Sequence, residues 1–263
     1  MKVTLSLEKS IEENASVYFD KAKKAKKKTE GATEALERSR KKLAKIKKEE
    51  AKIVEEVVIE KRKREWYEKF RWFVSSEGFL VIGGRDATTN EIVIKKHTEK
   101  EDIVFHTDMS GSPFFVIKSE GKEIGEATIN ETGTATAVFS RAWKLGLGTA
   151  DVFYVTPDQV SKEAQSGEYM SKGAFMIRGK KKYLHPDMDL AVGVNAAGMF
   201  ISGSFSAVSA NAAGEVIKLK QGKGKSSDLA KKMKNKYGLH DNDEIIRMLP
   251  AGGIDMPIAR RSK

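Results

Sequence analysis

The first quarter of the chain carries a long basic segment with almost nothing in it to interrupt a helix. Between Lys21 and Arg64 the sequence holds 18 Lys or Arg against 8 Glu, with one glycine and no proline. This segment accounts for most of the formal net charge of +11. Because proline and glycine are the residues that most disfavour helix, the stretch favours one extended helical fold. A long cationic helix joined to a mixed domain is typical of proteins that bind a large polyanion such as nucleic acid.

Small and apolar residues recur along the segment at alternating steps of three and four. This spacing predicts helix over residues 9–73 with a coiled-coil seam. A single rod of about 60 residues would be roughly 90 Å long and would need a partner chain. A hairpin would bury its own seam, with its turn at Gly31 or in the lysine-rich stretch 40–48. We favour the antiparallel hairpin, and therefore a monomer. The seam consists of Ile11, Ala15, Tyr18, Ala22, Ala25, Ala32, Leu36, Ile46, Ile53 and Val57.

Beyond the basic segment the sequence is typical of an α+β domain with mostly antiparallel strands. Four aromatic residues between Tyr67 and Phe73 follow Trp66 and are predicted to anchor the helix to this domain. A helix is predicted from Asn130, as its cap, to about Leu145. Apolar alternation and β-rich runs predict strands at 73–76, 79–83, 91–96, 102–106, 114–118, 152–156, 175–178 and 190–194.

The C-terminal quarter has a different pattern. It predicts short strands within 199–209 and 215–220, a Gly/Lys/Ser linker, and two short helices that end near Lys236 and Leu249. The residues from Pro250 onward are predicted to be a tail. The full expectation is an α+β protein in three parts. These are a long basic antiparallel coiled-coil helical hairpin at 1–72, a mostly antiparallel α+β domain at 73–197, and a small C-terminal extension at 198–263.

Composition disfavours several classes of protein. The chain has no cysteine, so a disulfide, a thiolate metal site and a cysteine nucleophile are all impossible. Its four histidines lack the spacing of metal ligands, and we expect neither a metal nor a cofactor. No run approaches 18 apolar residues, and the N-terminus lacks the apolar core of a signal peptide. These features predict a soluble cytoplasmic protein without a membrane span.

Two motifs carry polar residues that suit either chemistry or a structural role. His106 and Asp108 lie two apart on a predicted strand and should face the same side. They form either an acid–base pair or a hydrogen bond that braces the following loop. The segment Gly83-Gly84-Arg85-Asp86 is either a ligand loop, in which glycine permits close approach of the backbone, or a turn with a surface ion pair.

Two basic clusters suit RNA. The lysines of 21–28 surround a helix with few acids to compensate them, and like charges four residues apart cost roughly 0.2–0.5 kcal/mol per pair. Residues 176–183 place four cations beside a glycine and Tyr183 at a strand end, and cations near a stacking ring suit RNA. A solvated helix face and a solvated strand end are the respective alternatives.

Six short motifs occur together in one order, at 69–76, 80–86, 102–106, 161–162, 167–169 and 175–181. With them the chain resembles the RNA-binding domain of the NFACT family of ribosome quality-control factors, related to nuclear export mediator factor. The opening of the basic helix at Glu13-Asn14-Ala15 resembles the coiled coil of that family. The resemblance covers about residues 5–195, and the C-terminal piece is similar to the extension of archaeal members.

The resemblance implies a non-enzymatic protein that binds large ribosomal subunits carrying stalled peptidyl-tRNA. Family members recruit tRNA and support template-free tailing of the nascent chain. Their coiled coil reaches towards the stalk base of the subunit. The family's N-terminal domain and helix–hairpin–helix domain are not in this sequence, so tailing is expected only from the full-length factor. Ribosomal RNA is the expected partner, and tRNA and a stalk-base protein are further candidates.

RNA binding is assigned to two groups of residues, one in the helix and one in the α+β domain. Rival hypotheses are a hydrolase around His106 and Asp108, a stand-alone nucleic-acid-binding protein, and a structural dimer through a long parallel coiled coil. The predicted RNA-binding residues are Lys23, Lys24, Lys27, Lys28, Arg40 and Lys41 in the helix, and Arg85, His106, Lys162, Arg178, Lys180 and Lys181 in the domain.

Overall fold

The structure, a computed structural model, describes residues 3–8, 10–56, 64–163 and 170–256, with 47–56 as backbone only. The chain forms two compact units that divide between Lys63 and Arg64. This division differs from the three predicted parts, because residues 64–72 and those after 197 both belong to the second unit.

The first unit is built on one long helix, α1, Ile11–Glu56. Its 46 residues correspond to about 69 Å of helix. Ser10 and Glu13 form a capping box, in which the Ser10 hydroxyl accepts from Glu13 N and the Glu13 carboxylate accepts from Ser10 N. The helix passes without a break through Gly31 and through 40–48, so a hairpin turn at either place is wrong. A single glycine costs a helix only about 1 kcal/mol, which neighbouring helix formers offset.

Residues before α1 fold back along its first two turns. The Asn14 side chain is buried and donates to the carbonyls of Ser6 and Ser10, and it accepts from Ser6 N at 2.9 Å. Tyr18 donates its hydroxyl to the carbonyl of Thr4 at 2.7 Å. The chain itself therefore covers Asn14 on the first turn of α1, whereas the seam residues Ile11 and Ala15 remain exposed.

The second unit contains a six-stranded antiparallel sheet in the order β1-β2-β4-β3-β5-β8. The strands, numbered in chain order, are β1 Arg71–Val74, β2 Leu80–Gly83, β3 Ile103–Thr107, β4 Phe115–Ile117, β5 Val152–Val155 and β8 Lys182–Leu184. A separate pair is formed by β6 Val160–Ser161 and β7 Met176–Ile177. Six of the eight strands predicted for the domain overlap strands of this sheet or pair. Predicted helix up to residue 73 is wrong, because a 3₁₀ turn at Trp66–Lys69 leads directly into β1.

A second antiparallel sheet follows, in the order β10-β9-β11-β12. Its strands are β9 Leu190–Val194, β10 Phe200–Gly203, β11 Ile217–Gln221 and β12 Ile254–Asp255. The predicted boundary at 197/198 falls in the turn between the paired strands β9 and β10. The predicted tail contains β12, which pairs with β11. One hydrophobic core joins Phe70, Leu190, Met233 and Leu249, so the C-terminal residues are part of the fold and not an extension to it.

Six helices cover the sheets of the second unit. They are α2 Ala87–Lys96, α3 Glu126–Val138, α4 Arg141–Leu145, α5 Phe205–Asn211, α6 Ser226–Tyr237 and α7 Asn242–Arg247. The strand predicted at 91–96 is wrong, because Asp86 and Thr89 form a capping box that starts α2. The helix predicted over 130–145 is two helices, and Ser140 caps the second of them. Gly146 ends it in the left-handed conformation. Part of the predicted strand region 199–209 is α5, which Ser204 caps.

The aromatic cluster that follows the long helix belongs to the second unit. Phe70, Trp72 and Phe73 are buried there, whereas Trp66 is 45% exposed and its ring stacks on His97.

A buried ion pair joins the start of β3 to the end of β4, between Lys118 Nζ and Asp102 Oδ2 at 2.5 Å. The two carboxylate oxygens of Asp102 also accept from the backbone of Glu99 and Ser119. The pair therefore fixes the ends of β3 and β4 to each other.

Candidate nucleic-acid interface

Helix α1 presents the first predicted group of cations. All six of its predicted RNA-binding residues are exposed, and none forms an ion pair in the described part of the chain. Lys23 and Lys27 are four residues apart, as are Lys24 and Lys28, so each pair stacks on adjacent turns. This spacing places positive charge at short, regular intervals along the helix, and among the described side chains no carboxylate lies within ion-pair distance of these groups.

An apolar stripe runs along the same helix. Leu36, Leu43 and Ile46 are 52%, 57% and 51% exposed, and Ile11 is 84% exposed. The steps of seven and three residues between Leu36, Leu43 and Ile46 are those of a coiled-coil seam. The predicted seam positions Ile53 and Val57 lie outside the described side chains. A second helix that covers the stripe is not found among the described residues.

The second unit has a cavity of about 390 Å³ at the end of β2. Its walls come from the start of α2, the loop 110–114, the segment 171–175 and the side chains of Arg71, Arg85 and His106. Gly84 is required here because a Cβ at this position would collide with the Asn90 side chain and backbone. Asn90 in turn holds the loop, since its Oδ1 accepts from Phe114 N and its Nδ2 donates to the carbonyl of Ser112.

Two arginines line this cavity. The Arg71 guanidinium lies over the Phe139 ring and donates to the carbonyl of Leu249 at 3.2 Å. Burial lowers the pKa of Arg71 to about 10, and the charge of Arg85 contributes. Arg85 Nη2 donates to the carbonyl of Phe70 at 2.7 Å, whereas its buried Nε has no hydrogen-bond partner in the described chain. The pKa of Arg85 is lowered mainly by burial and further by Arg247.

His106 also lines this cavity. Its ring stacks on Phe114 at 4.1 Å, and its Nε2 lies 3.2 Å from the carbonyl of Ser112. Burial lowers the pKa of His106 below its usual value, so the ring is neutral at pH 7. A neutral ring satisfies this geometry when Nε2 carries the proton and donates it to Ser112. His106 therefore braces the loop 110–114.

Asp108 is held by other partners. Lys181 Nζ donates to its Oδ1 at 2.8 Å, and the Tyr183 hydroxyl donates to its Oδ2 at 2.9 Å. The hydrogen bond from Lys181 is the main reason that the pKa of Asp108 lies below its usual value. No hydrogen bond joins His106 to Asp108 among the described residues. Of the two interpretations of this pair, the geometry favours bracing over acid–base chemistry.

The remaining predicted cations have different environments. Lys162 Nζ donates to the carbonyls of Ser171 and Ala174 and lies over the Phe175 ring, so it supports the wall of the cavity. Gln159 Nε2 donates to the carbonyls of Arg178 and Lys180, which fixes their backbone while their side chains remain exposed. Arg178 is 3.5 Å from Glu163 on the surface.

The structure therefore separates the six predicted residues of this domain. Arg85 and His106 share the cavity, Lys162 supports it, Lys181 is bound to Asp108, and Arg178 and Lys180 lie on an exposed turn. The sequence reasoning missed Arg71, since nothing in an apolar strand shows which way a single arginine points. It also missed Asn90, although the Asp86–Thr89 capping box was a signal for the helix that carries it.

Residues 69–179 match the family described as NFACT protein RNA binding domain. The chain belongs to the NFACT family. The matched residues contain β1 to β7 and every wall of the cavity. The part of the motif set at 167–169 lies outside the described residues.

Relatives of this NFACT chain occur in archaea and animals. It is 43% identical over 210 residues to the archaeal Rqc2 homolog aRqcH of Methanocaldococcus jannaschii, covering 74% of this chain and 30% of that protein. It is 44% identical over 176 residues to the ribosome quality control complex subunit NEMF of Homo sapiens, covering 66% of this chain and 16% of that protein. For the Drosophila melanogaster NEMF homolog the identity is 39%, over 73% of this chain and 20% of the relative. The chain thus spans less than a third of each.

The described residues contain neither a membrane-spanning helix nor a metal-binding cluster. No helix among them is both long and apolar enough to span a bilayer. No group of three or more histidine or carboxylate side chains gathers there in a way that could hold a metal ion.

Proposed function

We propose that this chain binds RNA of the large ribosomal subunit as part of ribosome-associated quality control. The observation that carries the proposal is the match of residues 69–179 to the NFACT RNA-binding domain. The relatives named as ribosome quality control complex subunit NEMF and its homolog support the same pathway. The proposed role is one of binding in the cytoplasm rather than catalysis, in agreement with the bonds that occupy His106 and Asp108.

We further propose two RNA contacts of different character. The exposed lysines of α1 supply long-range attraction to phosphate with little base preference. Arg178 and Lys180 lie on a turn whose backbone is fixed by Gln159, so they meet only RNA of matching shape. Lys181 is less available, because it is bound to Asp108. Stalled peptidyl-tRNA is the proposed context, and tRNA recruitment and tailing are proposed only for a full-length factor.

The coiled coil requires its own proposal. The monomer expected for a hairpin no longer follows, because the described helix has no turn. We propose that the stripe of Leu36, Leu43 and Ile46 pairs with a second helix, supplied either by a longer form of the factor or by another copy of the chain. Pairing would leave the lysine faces free for ribosomal RNA and a stalk-base protein.

The proposal is tested by salt-dependent binding to purified large subunits and to an unstructured RNA. The first variant replaces Lys23, Lys24, Lys27 and Lys28 by Glu, and the second replaces Arg178 and Lys180 by Ala. Each lost phosphate contact should reduce the slope of log affinity against log salt by roughly 0.7–0.9. The helix variant should lose affinity for both ligands. The turn variant should lose affinity mainly for the subunit.

A matched control changes two exposed lysines outside both surfaces, Lys100 and Lys122, to Ala. This control should bind as the unmodified chain does. Absence of subunit binding by the unmodified chain at low salt would refute the proposed function. Equal proportional losses for both ligands in both variants would refute the division of labour while leaving ribosome binding intact.

A further inference from the structure

The cavity at the end of β2 holds more positive charge than its carboxylates balance. Arg71, Arg85 and Lys172 line it, and Asp86 is the one carboxylate among its described walls. That carboxylate already accepts from the backbone and hydroxyl of Thr89 as the cap of α2. His106 adds no charge, because it is neutral. Buried charge without a counter-ion is costly, so an anion that enters the cavity would remove an existing penalty.

The arginines also have unused donors. Among the described residues, Arg85 Nε is buried without a hydrogen-bond partner, and the guanidinium of Arg71 donates only to backbone carbonyls, one of them at 3.4 Å. Neither arginine forms an ion pair in the described chain. Guanidinium groups with free donors suit phosphate. Two N–H groups of the planar guanidinium can donate side by side to two phosphate oxygens.

The size and walls of the cavity indicate a ligand larger than phosphate. A volume of about 390 Å³ lies within the range of small-molecule sites, about 300–1,000 Å³. On its walls the partly exposed Phe175 forms an edge-to-face pair with the buried Phe114, and the Lys162 ammonium lies over the Phe175 ring. Aromatic walls beside cationic groups are the usual means of holding a base and its phosphate.

We propose that this cavity binds one unpaired nucleotide, with its phosphate at Arg71 and Arg85 and its base against the partly exposed ring of Phe175. That the nucleotide belongs to an RNA chain rests on the proposed function, whereas the chemistry of the cavity does not. A base can enter only when it is splayed out of a helix, so the site would select bulges, loops or ends. The rest of the unit would then bind the flanking phosphates.

The test uses the full chain and nucleoside monophosphates as probes. Binding of AMP and UMP is measured by calorimetry, and the arginine Nε–H signals are followed by NMR. Both nucleotides should bind more tightly than the matching nucleosides or inorganic phosphate, and the Arg85 Nε–H signal should move on binding. An RNA hairpin with a one-nucleotide bulge should bind more tightly than the same hairpin fully paired.

Three variants make the test specific. Arg85→Gln should weaken nucleotide binding about tenfold or more, the loss expected for a charged hydrogen bond. Ser110→Trp fills the mouth of the cavity from an exposed position, so it should abolish binding even if Arg85→Gln fails to fold. Arg141→Gln removes the same charge from an exposed site outside the cavity and should bind as the unmodified chain.

Several results would overturn the proposal. One is nucleotide binding that persists in both cavity variants, and another is an Arg85 signal that does not respond. Equal affinity for inorganic phosphate would show an anion site without base recognition, and equal affinity for hexaglutamate would show a peptide site. If the unmodified chain binds AMP but does not bind the large subunit, the proposed function is refuted and the nucleotide site is not.

Discussion

At the scale of single residues, His106 shows how burial selects one protonation state. The ring is stacked on Phe114 and donates to a carbonyl, an arrangement that the neutral form satisfies and that burial enforces. Its folded pKa therefore lies below the unfolded value of about 6.5. The unfolded chain binds the proton first as the pH falls, so acid favours unfolding.

The consequence is a pH-dependent stability with a definite sign. The contribution of His106 should be fully present above about pH 6.5 and should be lost as the pH falls towards its lowered folded pKa. His106→Gln should flatten the slope of unfolding free energy against pH between about 5 and 7. This slope is measured by urea titrations at several pH values. His240→Gln, at an exposed site, is the control. His97, whose pKa burial also lowers, should leave a residual slope. An unchanged slope in His106→Gln would contradict this account.

The buried pair of Lys118 and Asp102 supports a second prediction at this scale. Lys118→Met would leave the Asp102 carboxylate buried without its cation, which should cost about 3–5 kcal/mol of unfolding free energy. Adding Asp102→Leu should recover much of that loss, because replacement of both charges removes the unpaired group. Urea denaturation of the single and double variants decides the matter. A double variant no more stable than Lys118→Met would show that the pair is not the cause.

Predictions from sequence succeeded at single residues whose role follows from their own side chain and backbone. The sequence indicated that Gly83 and Gly84 allow close approach, and both positions have no room for a Cβ. It also left open whether His106 braces a loop. It could not assign Arg71 to a cavity, since its neighbours there come from distant parts of the sequence. They are Phe139 at the end of α3, the carbonyls of Arg247 and Leu249, and the charge of Arg85. Such contacts depend on tertiary packing and leave no local pattern.

At the scale of elements, α1 carries the clearest prediction. Its stripe should drive helix pairing, so Leu36→Asp with Leu43→Asp should lower helicity and remove any concentration-dependent association. A charge in a coiled-coil seam has no partner and is desolvated by pairing. Circular dichroism and sedimentation over a range of concentrations provide the measurement. Glu34→Gln, on an exposed ion pair with Arg38, is the control. If the double Asp variant melts and sediments as the unmodified chain, pairing through this stripe is wrong.

Helices and strands were predicted well where the apolar periodicity was strong. They were predicted poorly where a capping residue determined whether the segment formed a helix. The strands at 80–83 and 190–194 are regular apolar runs, and the structure has both. The stretch 91–96 alternates like a strand, yet the capping box at Asp86 makes it helix α2. The turn in the long helix was inferred from the need to bury a seam, which a partner helix meets equally well. Sequence spacing alone does not distinguish these two solutions.

At the scale of the whole molecule, the C-terminal residues complete the core of the second unit. A chain that ends at residue 197 would lose β10, β11 and β12 and would leave both edges of β9 unpaired. We expect this fragment to bind hydrophobic dyes and to aggregate, whereas the full chain should melt cooperatively. Thermal melting and size-exclusion chromatography test both. A soluble, cooperatively melting fragment at 197 would contradict the shared core.

The order of these strands along the chain also determines when the second sheet can form during synthesis. Strand β9 emerges with Leu190, Ala191 and Val192, all fully buried in the finished fold, but its sheet is completed only when β12 pairs with β11, 65 residues later at Asp255. At about 5–20 residues per second, the interval is roughly 3–13 s. During that time the nascent chain exposes an unpaired apolar sheet edge, a kind of surface that chaperones bind. Slow codons after residue 190 would lengthen this vulnerable period, and fast ones would shorten it.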